Sequence, residues 1–87
     1  MYEYKNHKSE ILKEENQKDF LKVRDNVDRL LSISSVFIMA DAIKGITGDN
    51  WTQMACVDRI LELGEIVEIP TESSVSAQNR VFVRGRK

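Results

Sequence analysis

Apolar residues recur along this chain in two rhythms, one of helical period and one of strand period. From Lys18 to Ile33, Phe20, Val23, Val27, Leu30 and Leu31 follow the i, i+3, i+7, i+10, i+11 spacing of a single helix face, with Lys18, Lys22, Asp25 and Arg29 opposite. Leu21 falls off that stripe. Ser32, Ser34 and Ser35 then break the helix, because short hydroxyl side chains compete for the backbone. The next stretch has two readings. Val36 to Ile38 are three strand-formers in a row. Alternatively Ser34 or Ser35 caps a helix from about Val36 to Lys44 that buries Val36, Met39, Ala40 and Ile43, with Ala42 a further candidate, and this helical reading is preferred.

A third helix is predicted from Trp51 to Leu63. Asn50 can cap it and Gln53 can reach back to complete a capping box. Met54, Val57, Ile60 and Leu61 share its apolar face. At about 100° per residue, Thr52, Ala55, Arg59 and Glu62 form the opposite, exposed stripe. Gly64 supplies the positive φ by which a chain leaves a helix. The rhythm then becomes that of strands: Glu65 to Ile69, ended by Pro70, and Arg80 to Arg84 with Val81, Phe82 and Val83. The polar stretch from Thr71 to Gln78 links them as a long hairpin loop. The pattern therefore predicts an α+β, mostly α chain, three helices followed by a β-hairpin. Its expected core is Phe20, Val23, Val27, Leu30, Leu31, Ala40, Ile43, Met54, Val57, Ile60, Leu61, Ile66 and Phe82.

Residues 1–16 sustain no period, and Tyr2, Tyr4, Ile11 and Leu12 are their only large apolar members apart from Met1. They are expected to form a flexible arm ahead of a folded domain over residues 17–87. His7, the sole histidine, is expected to lie exposed in that arm.

Composition narrows the function. A chain of 87 residues is one domain, and 41% hydrophobic content supports a core. A net charge of −1 gives no long-range field to gather nucleic acid. The charge is uneven, however: Arg80, Arg84, Arg86 and Lys87 close the chain without an acid among them, after a helix and strand rich in Asp and Glu. A single cysteine, Cys56, excludes an intrachain disulfide and a cysteine metal cluster, and reads as a small half-buried residue of a reducing cytoplasm. No apolar run reaches the roughly 18 residues of a membrane span, and the N-terminus lacks the apolar stretch of a secretion signal, so no membrane association is expected. No nucleophile elbow, phosphate loop or His–carboxylate motif is visible. No enzyme activity, metal or cofactor is expected.

Three helices and then a hairpin, the second and third helices joined by a tight turn, resemble the winged helix-turn-helix. Within that order Val57, Asp58, Arg59 and Ile60, followed by Gly64, Ile66 and Val67, resemble the recognition-helix segment of MarR-type bacterial regulators. There a Val-Asp-Arg-Leu run precedes a glycine and a short apolar strand. The resemblance implies a small transcriptional regulator that binds double-stranded DNA, its third helix in the major groove and its hairpin wing on the phosphates. Carried onto this chain, the third-helix candidates are Thr52, Gln53, Ala55, Cys56 and Arg59. Lys44 beside the turn and Arg80, Arg84 and Arg86 on the wing would meet phosphate. Each has a plainer reading too: Gln53 as a cap, Ala55 as a helix former, Arg59 as a partner of Asp58 or Glu62. DNA half-sites are usually read by two-fold pairs, so a homodimer is expected, built from Tyr2, Tyr4, Ile11, Leu12 and Leu21. The alternative function is a winged-helix protein–protein interaction module that does not bind DNA, favoured by the acidic third helix and the near-neutral charge.

Overall fold

The computed structural model describes residues 3–46, 48–70 and 79–85. It is mostly helical with one small antiparallel sheet. In chain order the elements are α1 (Tyr4–Ile11), a 3-10 turn at Glu14–Asn16, α2 (Gln17–Ile33), β1 (Val36–Ile38), α3 (Met39–Ala42), α4 (Asn50–Glu62), β2 (Ile66–Ile69) and β3 (Val81–Arg84). The expected helices at 18–33 and 51–63 and both hairpin strands are present within a residue or two.

The start of the chain departs from expectation. Residues 4–11 form a helix packed on α4, and Ile11 is fully buried. Residues 4–11 of the expected flexible arm are thus part of the packed body. Asn16 and Gln17 hold the C-terminal end of α1 by donating side-chain amide hydrogens to the carbonyls of Glu10 and Ile11, at 2.6 and 2.9 Å.

The ambiguous stretch after the serines resolves as a strand followed by a single helical turn. Phe37 decides it. In a strand its side chain points inward, where it stacks on Phe82 with ring centroids 5.4 Å apart, while Val36 turns outward. The preferred helix over 36–44 would have buried Val36 and left Phe37 at its boundary. Instead β1 pairs antiparallel with β3, Phe37 opposite Phe82, and the Met39 N–H donates to the Arg80 carbonyl at 2.9 Å to extend the ladder. β2 pairs with the other edge of β3, giving the sheet order β1-β3-β2.

α4 is capped by Asp49 in place of Asn50. The Asp49 carboxylate accepts from the Trp51 N–H at 3.2 Å and from the Thr52 hydroxyl at 3.0 Å. Gln53, expected in a capping box, is buried and donates to the Ile46 carbonyl at 2.8 Å. At the other end, the Gly64 N–H donates to the Leu61 carbonyl and the Glu65 N–H to that of Ile60, a Schellman closure with Gly64 at φ 81°. Gly85 lies against this turn so closely that a Cβ would fall 2.2 Å from the Gly64 carbonyl oxygen.

The core joins Val23 and Val27 of α2, Met39 and Ala42 of α3, Met54, Val57 and Ile60 of α4, and Phe37, Ile66 and Phe82 of the sheet. Phe20, Leu30, Leu31 and Leu61 pack at its margin, and Ala40 is only partly covered. Ile11, Ala55 and Cys56 join the core unforeseen, Ile11 and Ala55 because α1 lies over α4. Val57 is completely buried. Val57→Ala is therefore expected to cost about 1–3 kcal/mol, from lost transfer energy plus a residual cavity. A urea titration reads this as a lower midpoint at unchanged slope.

Candidate functional site

Two surfaces compete for attention: the stripe of α4 that the sequence offers to DNA, and the outer face of the sheet. On the α4 stripe, α1 intervenes. Ala55 and Cys56, expected on or beside the exposed face, are both wholly buried, as is Gln53. For Ala55 the physical reason is a clasp between α1 and α4, whereas Gln53 is turned to the Ile46 carbonyl and Cys56 lies near Asp19 of α2. Glu62 accepts from the Tyr4 hydroxyl at 3.2 Å and from the Lys8 ammonium at 3.0 Å, and it also pairs with Arg59 one turn earlier on α4. His7 meets Trp51 edge to face, with centroids 5.4 Å apart. Arg59 thus takes its plainer role, as a partner of Glu62. A crevice of about 160 Å3 remains where α1, α2 and α4 meet, lined by Ile11, Leu12, Phe20, Arg59 and Leu63 among others.

The wing cations are divided. Arg80 faces inward and is mostly buried, donating to Asp58 at 2.8 and 3.2 Å and to Glu68 at 2.7 and 3.0 Å, with its guanidinium 5.3 Å above the Phe82 ring. It is a structural ion pair, and its expected place on a phosphate is not available. Arg84 is exposed and reaches the Leu31 carbonyl at 3.4 Å. Lys44 is exposed on the loop after α3, and Thr52 is half-buried beside the Asp49 cap. Arg86 lies outside the described residues. Of the nine residues assigned to DNA, Lys44 and Arg84 are exposed among those described, Thr52, Arg59 and Arg80 are partly covered, and the charges of Arg59 and Arg80 are matched by carboxylates of the chain. The expected dimer contact is also largely consumed: Ile11 is buried within its own chain and Tyr4 is held on Glu62, Tyr2 lies outside the described residues, and Leu12 and Leu21 remain exposed.

Titration follows this geometry. Hydrogen bonds from Lys8 and Arg59 hold the Glu62 carboxyl below its usual range. Burial, with Glu62 beside it, pushes the Tyr4 hydroxyl up to about 12. Burial, aided by the Asp19 charge, likewise pushes the Cys56 thiol up to about 12, so this cysteine is unreactive packing. Glu68, with Asp58, stabilises the charged Arg80 against its burial.

The outer face of the sheet is of another kind. Strand register sets Val36, Val83 and Val67 side by side in one row, and Ile38, Val81 and Ile69 in the next. All six are β-branched and aliphatic, and no charge lies in either row. Val36, Val67 and Ile69 are exposed and the other three half-buried. An antiparallel sheet with one wet face ordinarily alternates apolar and polar residues. Here the runs Val36-Phe37-Ile38 and Val81-Phe82-Val83 are apolar on both sides. That continuity is present in the sequence, where β-propensity by itself accounts for it equally well.

Among the described residues, no group of three or more His, Cys, Asp or Glu stands ready for a metal ion, and no helix is long and apolar enough to cross a membrane. Comparison with protein-family models, curated proteins and solved structures returned no match.

Two outcomes test the buried charges. Arg80→Ala is expected to destabilise the chain by about 2–4 kcal/mol, somewhat below a fully buried pair because Glu68 is one-third exposed. Asp58→Asn in the same background should return part of that loss, since it removes the orphaned carboxylate; chemical denaturation of the four-member cycle measures the coupling. The clasp gives a pH dependence. Glu62 titrates lower in the folded chain than in the unfolded one, so its contribution is present above the unfolded carboxyl pKa and is lost as pH falls through the folded one. The protection factors of the α1 amides, exchange rates corrected for the intrinsic pH dependence, should therefore fall on acidification before those of the sheet, and Glu62→Gln should lower α1 protection at neutral pH as well.

Proposed function

We propose that this chain is a winged-helix domain that works as a protein-interaction module and does not read DNA. The winged-helix part draws support from the order α2, β1, α3, α4, β2, β3 and from the sheet order β1-β3-β2, in which the first strand returns to pair with the last. α1 is an addition in front of that order. The observation that carries the interaction part is the outer sheet face, six aliphatic side chains in two cross-strand rows. A contiguous apolar patch of that kind marks a surface made to be covered.

The DNA reading loses its main supports on the same geometry. A recognition helix needs an open polar stripe at its N-terminal half. α4 has Gln53, Ala55 and Cys56 buried there, and Asp49, Asp58 and Glu62 on or beside what remains. Arg59 and Arg80 have their charges matched by carboxylates within the chain. Neutralised cations release no counterions from a duplex, and counterion release is the main source of non-specific affinity.

A labelled duplex titrated with protein to about 100 µM at about 50 mM salt, within the usual non-specific range, should show no binding. A photo-reactive residue at position 67 should give protein adducts in the source cell, whereas the same residue at exposed position 22 on α2 should not. Salt-sensitive duplex binding that Arg84→Glu and Lys44→Glu abolish would return the chain to the DNA readers.

A further inference from the structure

We infer that the outer sheet face docks a second copy of this chain, the two sheets packing face to face about a two-fold axis. This rests on the interaction reading above and names its partner. Each row of the face spans all three strands, Val36–Val83–Val67 and Ile38–Val81–Ile69, with β3 in the middle.

Symmetry is the first support. A two-fold contact lays a surface against itself, so any charge near its centre meets a charge of the same sign. The six positions hold none. The nearest acid of β2, Glu68, points to the other side, into Arg80, and Glu65 is engaged by Arg24 of α2 at 2.9 and 3.1 Å. A face this neutral offers a charged partner, nucleic acid or an anionic membrane nothing to pair with. Shape is the second support. β-branched side chains stand off a sheet in stiff, even rows, and two such surfaces interdigitate about 10 Å apart, as in a β-sandwich.

Area sets the strength. Val36, Val67 and Ile69 are 41%, 47% and 39% exposed and the other three are half-buried, so the face offers a few hundred Å2, on the order of half the roughly 800 Å2 per partner of a standard interface. The pairing is accordingly a reversible, concentration-dependent dimer and not a permanent one.

Sedimentation equilibrium on the full chain tests this. The wild-type mass should rise from 10.0 kDa at low micromolar concentration toward twice that value as the concentration approaches about 1 mM. Val67→Lys, at an edge-strand position exposed enough to accept the charge without unfolding, should hold the mass at 10.0 kDa throughout. Val83→Lys and Val83→Glu should each be monomeric alone, and a mixture of equal parts should recover association, because β3 lies over β3 in the two-fold pair. Thermal melts identify any variant that has unfolded, and Val67→Lys carries the test if those at position 83 have. A wild type that stays monomeric at about 1 mM overturns the second copy. So does a dimer that folded Val67→Lys leaves intact. The photo-cross-link at position 67 separates the two readings. An adduct of twice the chain mass supports the second copy; adducts only of other masses overturn it while keeping the interaction reading; no adduct removes both.

Discussion

Arg80 holds the sheet to the helices. Arg80 lies one residue before β3 begins, and its guanidinium stands between Asp58 of α4 and Glu68 of β2. Removing these charges from water is costly, and the cost is offset only because the fork is bidentate to both carboxylates and its face lies over Phe82. Everything in the sheet follows from that anchor. With Arg80 turned inward, the pleat sends Phe82 inward two residues later. Phe82 stacks with Phe37, which fixes β1, and β1 runs directly into α3. The anchor also decides charge at the surface, because a cation used inside the fold no longer acts outside it.

The same logic governs α4. A helix at the centre of a small domain and a helix that enters a DNA groove place opposite demands on one stripe of residues. Here α1 lies along that stripe, with Ile11 in the core and Glu62 as the hub of Tyr4, Lys8 and Arg59. The contacts holding α1 are mostly polar and partly solvated, so the helix is bound less tightly than the elements behind it. It nonetheless takes Ala55 out of the outward face of α4, while Thr52, Arg59 and Glu62 keep part of their surface.

How far the sequence revealed this depends on which residues carried each element. α2 and α4 were legible because four or five apolar residues repeat at helical spacing, and Gly64 because only a positive φ makes that exit. α1 was not: its inward face is Tyr4, His7, Lys8 and Ile11, properly spaced for a helix but half polar, so hydrophobic periodicity passes over it. β1 is too short for any period to be counted. Asp49 and Asn50 are adjacent and both suited to capping, and the choice fell to Asp49 because its two oxygens serve the Trp51 N–H and the Thr52 hydroxyl together. The fate of Arg80 could have been read. Alternation puts Arg80, Phe82 and Arg84 on one side of β3, and Phe82 belonged in the core, so Arg80 had to face inward with it. Ala55 could not be placed without knowing that α1 folds back over its side of α4, nor Gln53 without the Ile46 carbonyl it serves.

A sheet with two apolar faces is the remaining constraint. The inner face, with Phe37, Phe82 and Ile66, is covered by α2, α3 and α4, and the outer one carries six aliphatic side chains of its own. In a chain of 87 residues, core material is scarce, and six β-branched residues left on the surface represent burial that the single copy does not use. Such a surface is also a hazard, since both β1 and β2 are open edges beside it and uncontrolled pairing there leads to aggregation. Short edge strands of three and four residues limit that hazard by leaving little backbone to template a longer ladder. The geometry therefore discourages growth along the sheet edge and favours contact across the sheet face. That is the distinction between an open-ended fibre and a closed, countable complex.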